Sequence, residues 1–298
     1  MMSLPLKQRG NLNVGRLNAQ LDHLAIRSGT PAALADFYSR LLGTATVAVS
    51  GDWLEVTKDD RCLLFSEGRP GTLAFAAYAF DDELDLDRLR TRLCDRTEVL
   101  AAVSPRWADQ RAFAVVDPDG NRIEFGMRPH HRHARSGNPG GPSSAAPAAR
   151  LQHVVFASRE PDRLERFYVE VCGFGLSDHV LDASGEVRSA FLHADQEHHA
   201  MAIFRATENR LDHHCYETSS WNDLRDWADY WSTMDLKIVW GPGRHGPGNN
   251  LFLFVNDPDG NWIEMSAELE TLLESREAGR WPHEERTLNL WGHGKLRS

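Results

Sequence analysis

Apolar and polar positions change rhythm twice within each half of the chain. In LDHLAIR (21–27) and LQHVVFA (151–157) apolar residues alternate as on a half-buried strand. A proline then stands where a first helical residue falls, Pro31 or Pro161, with Thr30 a suitable N-cap in the first copy. Beyond it the rhythm lengthens. Leu34, Phe37 and Leu41, or Leu164, Phe167 and Val171, recur at helical spacing until Gly43 or Gly173 ends the helix. Segments 21–43 and 151–173 are therefore two copies of one strand–helix unit, 130 residues apart.

A second echo sets DPDGNRIEF (117–125) against DPDGNWIEM (257–265), 140 residues apart. Asp-Pro-Asp-Gly between apolar runs reads as a hairpin turn. The same reading carries the second half through strands near 175–182, 187–194 and 199–205 and a strand LDHHCYET (211–218). An amphipathic helix at 221–232 follows, then strands LKIVW (236–240), LFLFV (251–255) and NWIEM (261–265). Each half is then two βαβββ modules. The expected fold is α+β, with two tandem domains, each a curled, barrel-like mixed sheet. Residues 128–150, rich in Pro, Gly, Ser and Ala, have linker composition. They divide an N-terminal domain (1–127) from a C-terminal domain (151–298). His130, His131 and His133 belong to this solvated linker, and from Glu270 onward a final helix with an irregular end is expected.

Bulk properties only exclude. A net charge of −10 argues against a nucleic-acid surface, and no apolar run approaches the roughly 20 residues of a membrane span. No secretory signal opens the chain, and Cys62, Cys94, Cys172 and Cys215 lack C-x-x-C spacing, so free thiols in a reducing cytoplasm are expected.

The histidines are more specific. EHHAMAIF (197–204) and LDHHCYET each carry a pair. On strict alternation Leu151, His153 and Val155 share a face; Asp212, His214 and Tyr216 share another; and His213, Cys215 and Glu217 lie opposite the latter. Glu264, flanked by Ile263 and Met265, is costly to bury unless it is paired or holds a metal. His153, His214 and Glu264 thus form a candidate set of two imidazoles and one carboxylate, the arrangement of non-haem Fe(II) oxygenases. Singly, each has an ordinary explanation as a satisfied core group or a solvated strand end. The first half is an internal control: His23 matches His153 and Glu124 matches Glu264, but the 140-residue offset puts Ala74 opposite His214. The first domain is therefore expected to carry a degenerate site. The loop GPGRHGPGNN (241–250) lacks G-K-[ST] and is read as lining substrate rather than phosphate, while Trp221, Trp227 and Trp231 are read as packing residues.

The paired modules resemble the vicinal oxygen chelate superfamily. With EHHAMAIF, LDHHCYET and GRHGPGNNLFLFVNDPDGNWIE (243–264), the second half resembles type I extradiol ring-cleaving dioxygenases. The resemblance implies Fe(II) held by His153, His214 and Glu264, with Mn(II) as the alternative ion and O2 as co-substrate. It implies His199 as the acid–base histidine, His245 beside the substrate oxygen, and substrate contacts from His245, Phe254, His198 and Asn250. The family's tyrosine ten residues before the glutamate is replaced by Phe254, which cannot hydrogen-bond a substrate hydroxyl.

The implied activity is meta-type cleavage of a catechol-like aromatic diol in a cytoplasmic homo-oligomer. A cation bearing one carboxylate favours a deprotonated diol bound through both oxygens, and a positioned histidine moves the protons. The alternatives are a hydroquinone-cleaving dioxygenase, a glyoxalase-like isomerase, or a metal-free small-molecule-binding protein of the same fold.

Overall fold

Each module folds by returning its last strand beside its first. In the computed structural model, which describes residues 17–48, 51, 53–107, 111–129, 146–272 and 276–296, the halves form two mixed sheets of eight and nine strands. In the second sheet, Arg150–Ser158 takes Met201–Arg205 as a parallel neighbour, and Arg210–Thr218 likewise takes Trp262–Ala267. The two modules join where Arg150–Ser158 and Arg210–Thr218 run antiparallel. The first sheet repeats the scheme, with Ala19–Ser28 antiparallel to Thr72–Phe80 and flanked by Arg61–Glu67 and Arg122–Met127. The fold class expected from the sequence is observed.

The Pro and Gly helix signals act where the pattern puts them, while Thr30, at the N-cap position, makes no side-chain cap bond. Pro31 starts Pro31–Leu42, and Gly43 at φ 59° ends it in the left-handed region that glycine adopts without strain. Pro161 starts Pro161–Arg166, which widens into a π-helical stretch, Phe167–Cys172, before Gly173 at φ 93°. The Ser220 hydroxyl accepts from the Asp223 amide and caps Trp221–Ser232, whose Leu224, Trp227 and Trp231 are buried.

The halves share one apolar interior that includes Leu34, Tyr38 and Phe65 of the first and Leu164, Tyr168 and Trp231 of the second. A reciprocal pair of buried hydrogen bonds crosses it. The Tyr38 hydroxyl donates to Asp257 at 3.0 Å, and the Tyr168 hydroxyl donates to Asp117 at 2.7 Å. Each DPDG aspartate also accepts from its own Asn121 or Asn261. The repeated turn motif thus anchors each half to the other's first helix, besides reversing the chain.

Two expectations are corrected. The strand expected at 236–240 runs instead over Trp240–Arg244, because its partner Leu251–Asn256 pairs Phe254 with Trp240 and Leu251 with Arg244. Among the described residues after Glu270, Gly279–Pro282 adds a parallel strand beside Gly175–Leu181 where a helix was expected, and the helical part is the single turn Glu285–Leu288. The linker histidines at 130, 131 and 133 lie outside the described residues. Among the described residues no helix is long and apolar enough to cross a membrane.

Candidate metal centre

Three strands reaching the sheet interiors open with leucine, a polar residue and histidine: Leu21-Asp22-His23, Leu151-Gln152-His153 and Leu211-Asp212-His213. In each, the middle residue is extra to the strand register. Leu151 and His153 face consecutive residues Tyr216 and Cys215, and Leu211 and His213 face Phe156 and Val155. A bulge of this kind re-aims a side chain, and here the bulged residue turns onto the ring of the following histidine. Gln152 Oε1 contacts His153 Nδ1, Asp212 Oδ1 lies 2.6 Å from His213 Nδ1, and Asp22 Oδ2 lies 2.7 Å from His23 Nδ1. With Nδ1–H donating, Nε2 is left with its lone pair, the form that ligates metals.

The freed nitrogens of the second half converge. His153 Nε2 and His213 Nε2 each lie 3.3 Å from the same oxygen, Glu264 Oε2, and all three residues are buried. Burial alone would raise Glu264, but His153, His213 and His245 hold its carboxyl well below the usual range, so it is an anion. Burial lowers His153 in turn and favours its neutral, ligating form. Two ligands at right angles with bonds of about 2.1 Å stand about 3 Å apart. The 3.3 Å separations match that spacing better than the 2.7–2.9 Å of a tight charge-assisted hydrogen bond. The arrangement fits a divalent cation.

His214, the residue expected from the sequence, is not part of this cluster. His153 pairs directly opposite Cys215, so the site face of the strand is the one carrying His213 and Cys215, while His214 points the other way. There its ring packs against Tyr38 and Tyr216 at 5.7 and 5.6 Å between centroids. Neither ring nitrogen has a hydrogen-bond partner among the described residues, and burial pushes its pKa down to about 3. Inter-strand register decides the face, which periodicity within one strand cannot. The signal that identifies His213 was present in the sequence as the repeated L-[D/Q]-H opening. Cys215 lies within 4.8 Å of ligand atoms of His153 and Glu264, but burial pushes its thiol far up and it donates to Ser266 Oγ at 3.3 Å. A neutral, committed thiol is a poorer ligand than His213 Nε2.

Above the cluster lies a cavity walled by Val155, Phe191, Phe204, Trp240, Phe254 and Leu288, a largely apolar lining around few polar groups. His199 lines it with its ring 4.4 Å from that of His153. Burial, with His153 and His198 nearby, holds it well below the ordinary histidine range and neutral. His245 donates from Nδ1 to the Leu288 carbonyl at 2.6 Å and sets Nε2 3.6 Å from Glu264 Oε1. Asn250 donates to Glu264 Oε1 at 3.1 Å, and its buried Oδ1 has no hydrogen-bond partner among the described residues. Phe254 stands in the wall, stacked on Trp240 at 5.1 Å and edge-on to His213 at 5.2 Å. His198, expected to touch substrate, is fully buried behind His199 and does not line the cavity. Lys295, which the sequence reading missed, also lines the cavity; it donates to the Val239 carbonyl and lies 4.9 Å over the Trp262 ring.

The first half shows how the same scaffold closes the site. The register sets His23 opposite Ala77, as His153 is opposite Cys215, an offset of 138 (215 − 77), so Phe75 and not Ala74 stands where His213 does. His23 Nε2 meets Ser104 Oγ at 2.6 Å, and Glu124 accepts from the Val103 and Ser104 amides and from Arg122. Every group that would ligate is already satisfied by protein.

The model of the glyoxalase/bleomycin resistance protein/dioxygenase superfamily matches residues 20–125 and 150–265. Metapyrocatechase 2 of Cupriavidus necator is 28% identical over 295 residues, covering 91% of this chain and 88% of that protein. The structure of homoprotocatechuate 2,3-dioxygenase from Arthrobacter globiformis superposes with a TM-score of 0.77 at 22% identity, over 95% of this chain and 91% of that one. The Mn(II)-bound glyoxalase of Novosphingobium aromaticivorans gives 0.71 at 21% identity, over 94% and 92% of the two chains.

Proposed function

This chain belongs to the glyoxalase/bleomycin resistance protein/dioxygenase superfamily, and on that premise we propose that it is an extradiol dioxygenase that opens the ring of a catechol-like diol with O2. The observation carrying the reading is the approach of His153 Nε2 and His213 Nε2 to one oxygen of Glu264, each at 3.3 Å, on the floor of an apolar cavity. Its counterpart in the first half is closed by Phe75 and Ser104. The similarity to metapyrocatechase 2 supports the diol as substrate.

His153, His213 and Glu264 would hold the ion. Fe(II) is the ion proposed and Mn(II) the alternative, since two imidazoles and a carboxylate suit either. Bound there, the ion would supply Lewis acidity toward the diol oxygens and a route for electrons from the diol to O2. The protein does the rest. His199, neutral and in the cavity wall, accepts the proton of a substrate hydroxyl and returns it later. Asn250 steadies Glu264, leaving its second oxygen for the ion. His245, fixed through the Leu288 carbonyl, presents Nε2 to the substrate oxygen beside Glu264. Phe191, Phe204, Trp240 and Phe254 exclude water and grip the ring face. With phenylalanine at 254, no hydroxyl at that position orients the substrate.

Anaerobic reconstitution with Fe(II), or with Mn(II) in parallel, followed by oxygen uptake over a panel of catechols and hydroquinones tests the reading. Uptake with a near-visible-absorbing, ring-opened product from a catechol is expected. Metal binding without uptake for any diol would transfer the assignment to the isomerase reading.

A further inference from the structure

His198 is fully buried yet touches neither the cavity nor any of the three proposed ligands. Its Nδ1 lies 3.0 Å from His199 Nδ1, and its Nε2 lies 3.1 Å from Asp178 Oδ2. The aspartate is itself held from several sides. Asp178 Oδ1 accepts from Arg276 at 2.9 Å and the Gly279 amide at 3.0 Å, and Oδ2 accepts from Trp281 Nε1 at 2.8 Å. Burial opposes its charge, but His198, Trp281 and Arg276 outweigh it and bring the carboxyl down to about 2. Ser177, the extra residue of a register shift between Leu176 and Asp178, donates to the His198 carbonyl and fixes the backbone of the pair.

This chain of contacts has one electrostatic solution for neutral rings. Asp178 Oδ2 stands 3.1 Å from His198 Nε2 as an ion contact rather than an aligned hydrogen bond, and an anionic oxygen at that distance repels a lone pair, so Nε2 carries the proton. His198 Nδ1 is then the acceptor, His199 Nδ1 the donor, and His199 Nε2 is left bare toward the cavity. We propose that Asp178 and His198 are positioning residues that fix the ring orientation and tautomer of His199, so that Nε2 presents a lone pair to the bound diol. The proposal rests on the reading of His199 as the proton acceptor. It assigns the C-terminal segment a part in the chemistry, because Arg276, Gly279 and Trp281 hold the carboxylate in place.

The test reads the tautomer directly. 15N spectra of histidine-labelled protein, metal-free and loaded with diamagnetic Zn(II), assign His199 by loss of its signals in His199→Ala. Wild-type His199 is expected to show a protonated Nδ1 and a bare Nε2. In Asp178→Asn the amide can donate to His198 Nε2 and reverse both rings, so His199 Nε2–H is expected, with no change in bound metal. In His198→Gln the fixed tautomer should give way to a mixture. Arg276→Met removes one donor to the carboxylate while the Gly279 amide and Trp281 keep it facing His198, and should leave the wild-type tautomer. In the oxygen-uptake assay kcat is expected to fall about 10–100-fold in Asp178→Asn at unchanged KM, the scale for losing a partner that orients a site histidine. A wild-type tautomer in both Asp178→Asn and His198→Gln, or a reversed one in Arg276→Met, would overturn the proposal. Absence of any diol activity in the wild type strikes the proposed function and leaves the spectra to decide the tautomer.

Discussion

Replacing each histidine of the 213–214 pair by phenylalanine separates two adjacent residues with opposite roles. His214 sits between Tyr38 and Tyr216 with neither ring nitrogen partnered among the described residues. A buried polar group without a partner costs about 1–3 kcal/mol, and a slightly larger ring returns about 1 kcal/mol as overpacking. His214→Phe should therefore stabilise the protein by up to about 2 kcal/mol, a Tm rise of up to about 3 °C at this chain length. Metal content should be that of the wild type. His213→Phe removes one of the two nitrogens facing Glu264 Oε2. For the wild type and His214→Phe, a ligating ion at 100 times its Kd adds about 2.7 kcal/mol to stability, visible as a further Tm increment. In His213→Phe the increment should vanish. Thermal melts with and without Fe(II), together with metal analysis of the purified variants, measure both effects. A metal-dependent increment kept in His213→Phe and lost in His214→Phe would refute the register argument and restore the ligand set expected from the sequence.

Phe75→His supplies the first half with its missing imidazole, yet bound metal should remain one ion per chain by elemental analysis, because Ser104 and the 103–104 amides already occupy His23 and Glu124. Tyr38→Phe and Tyr168→Phe each remove a buried hydrogen bond to an aspartate and should cost about 1.5–3 kcal/mol in urea unfolding, roughly additively in the double variant. Burial raises Glu217 to about 7, against the pull of Ser266 and the Leu269 amide, so the folded state retains a proton that the unfolded state has released above about 4.5. Stability should fall as pH rises from about 4.5 to 7, and Glu217→Gln should flatten that loss, by up to about 3 kcal/mol at neutral pH in urea titrations. Phe254→Tyr should leave metal content unchanged and alter kcat/KM for catechols; unchanged kinetics across the panel would mean that this wall does not meet the reacting hydroxyls.

The modules, three of their four helices, most second-half strands, and two of the three converging side chains were legible in the linear chain. Local signals suffice for these: alternation makes a strand, Pro and Gly bound a helix, and repetition sets His153 and Glu264 beside their counterparts His23 and Glu124. What the linear chain left open was pairing between strands. Bulges at Gln152 and Asp212 insert one residue each, and a one-residue change in register exchanges the faces of a strand, which is why His213 and not His214 meets Glu264. The same non-local pairing moved the strand at 236–240 to Trp240–Arg244, replaced the expected final helix by Gly279–Pro282, and withdrew His198 from the cavity to stand against Asp178. Pattern within a strand depends on neighbours along the chain. The choice of which face meets the metal depends on hydrogen bonds between segments some 50 residues apart, and only the folded sheet specifies those.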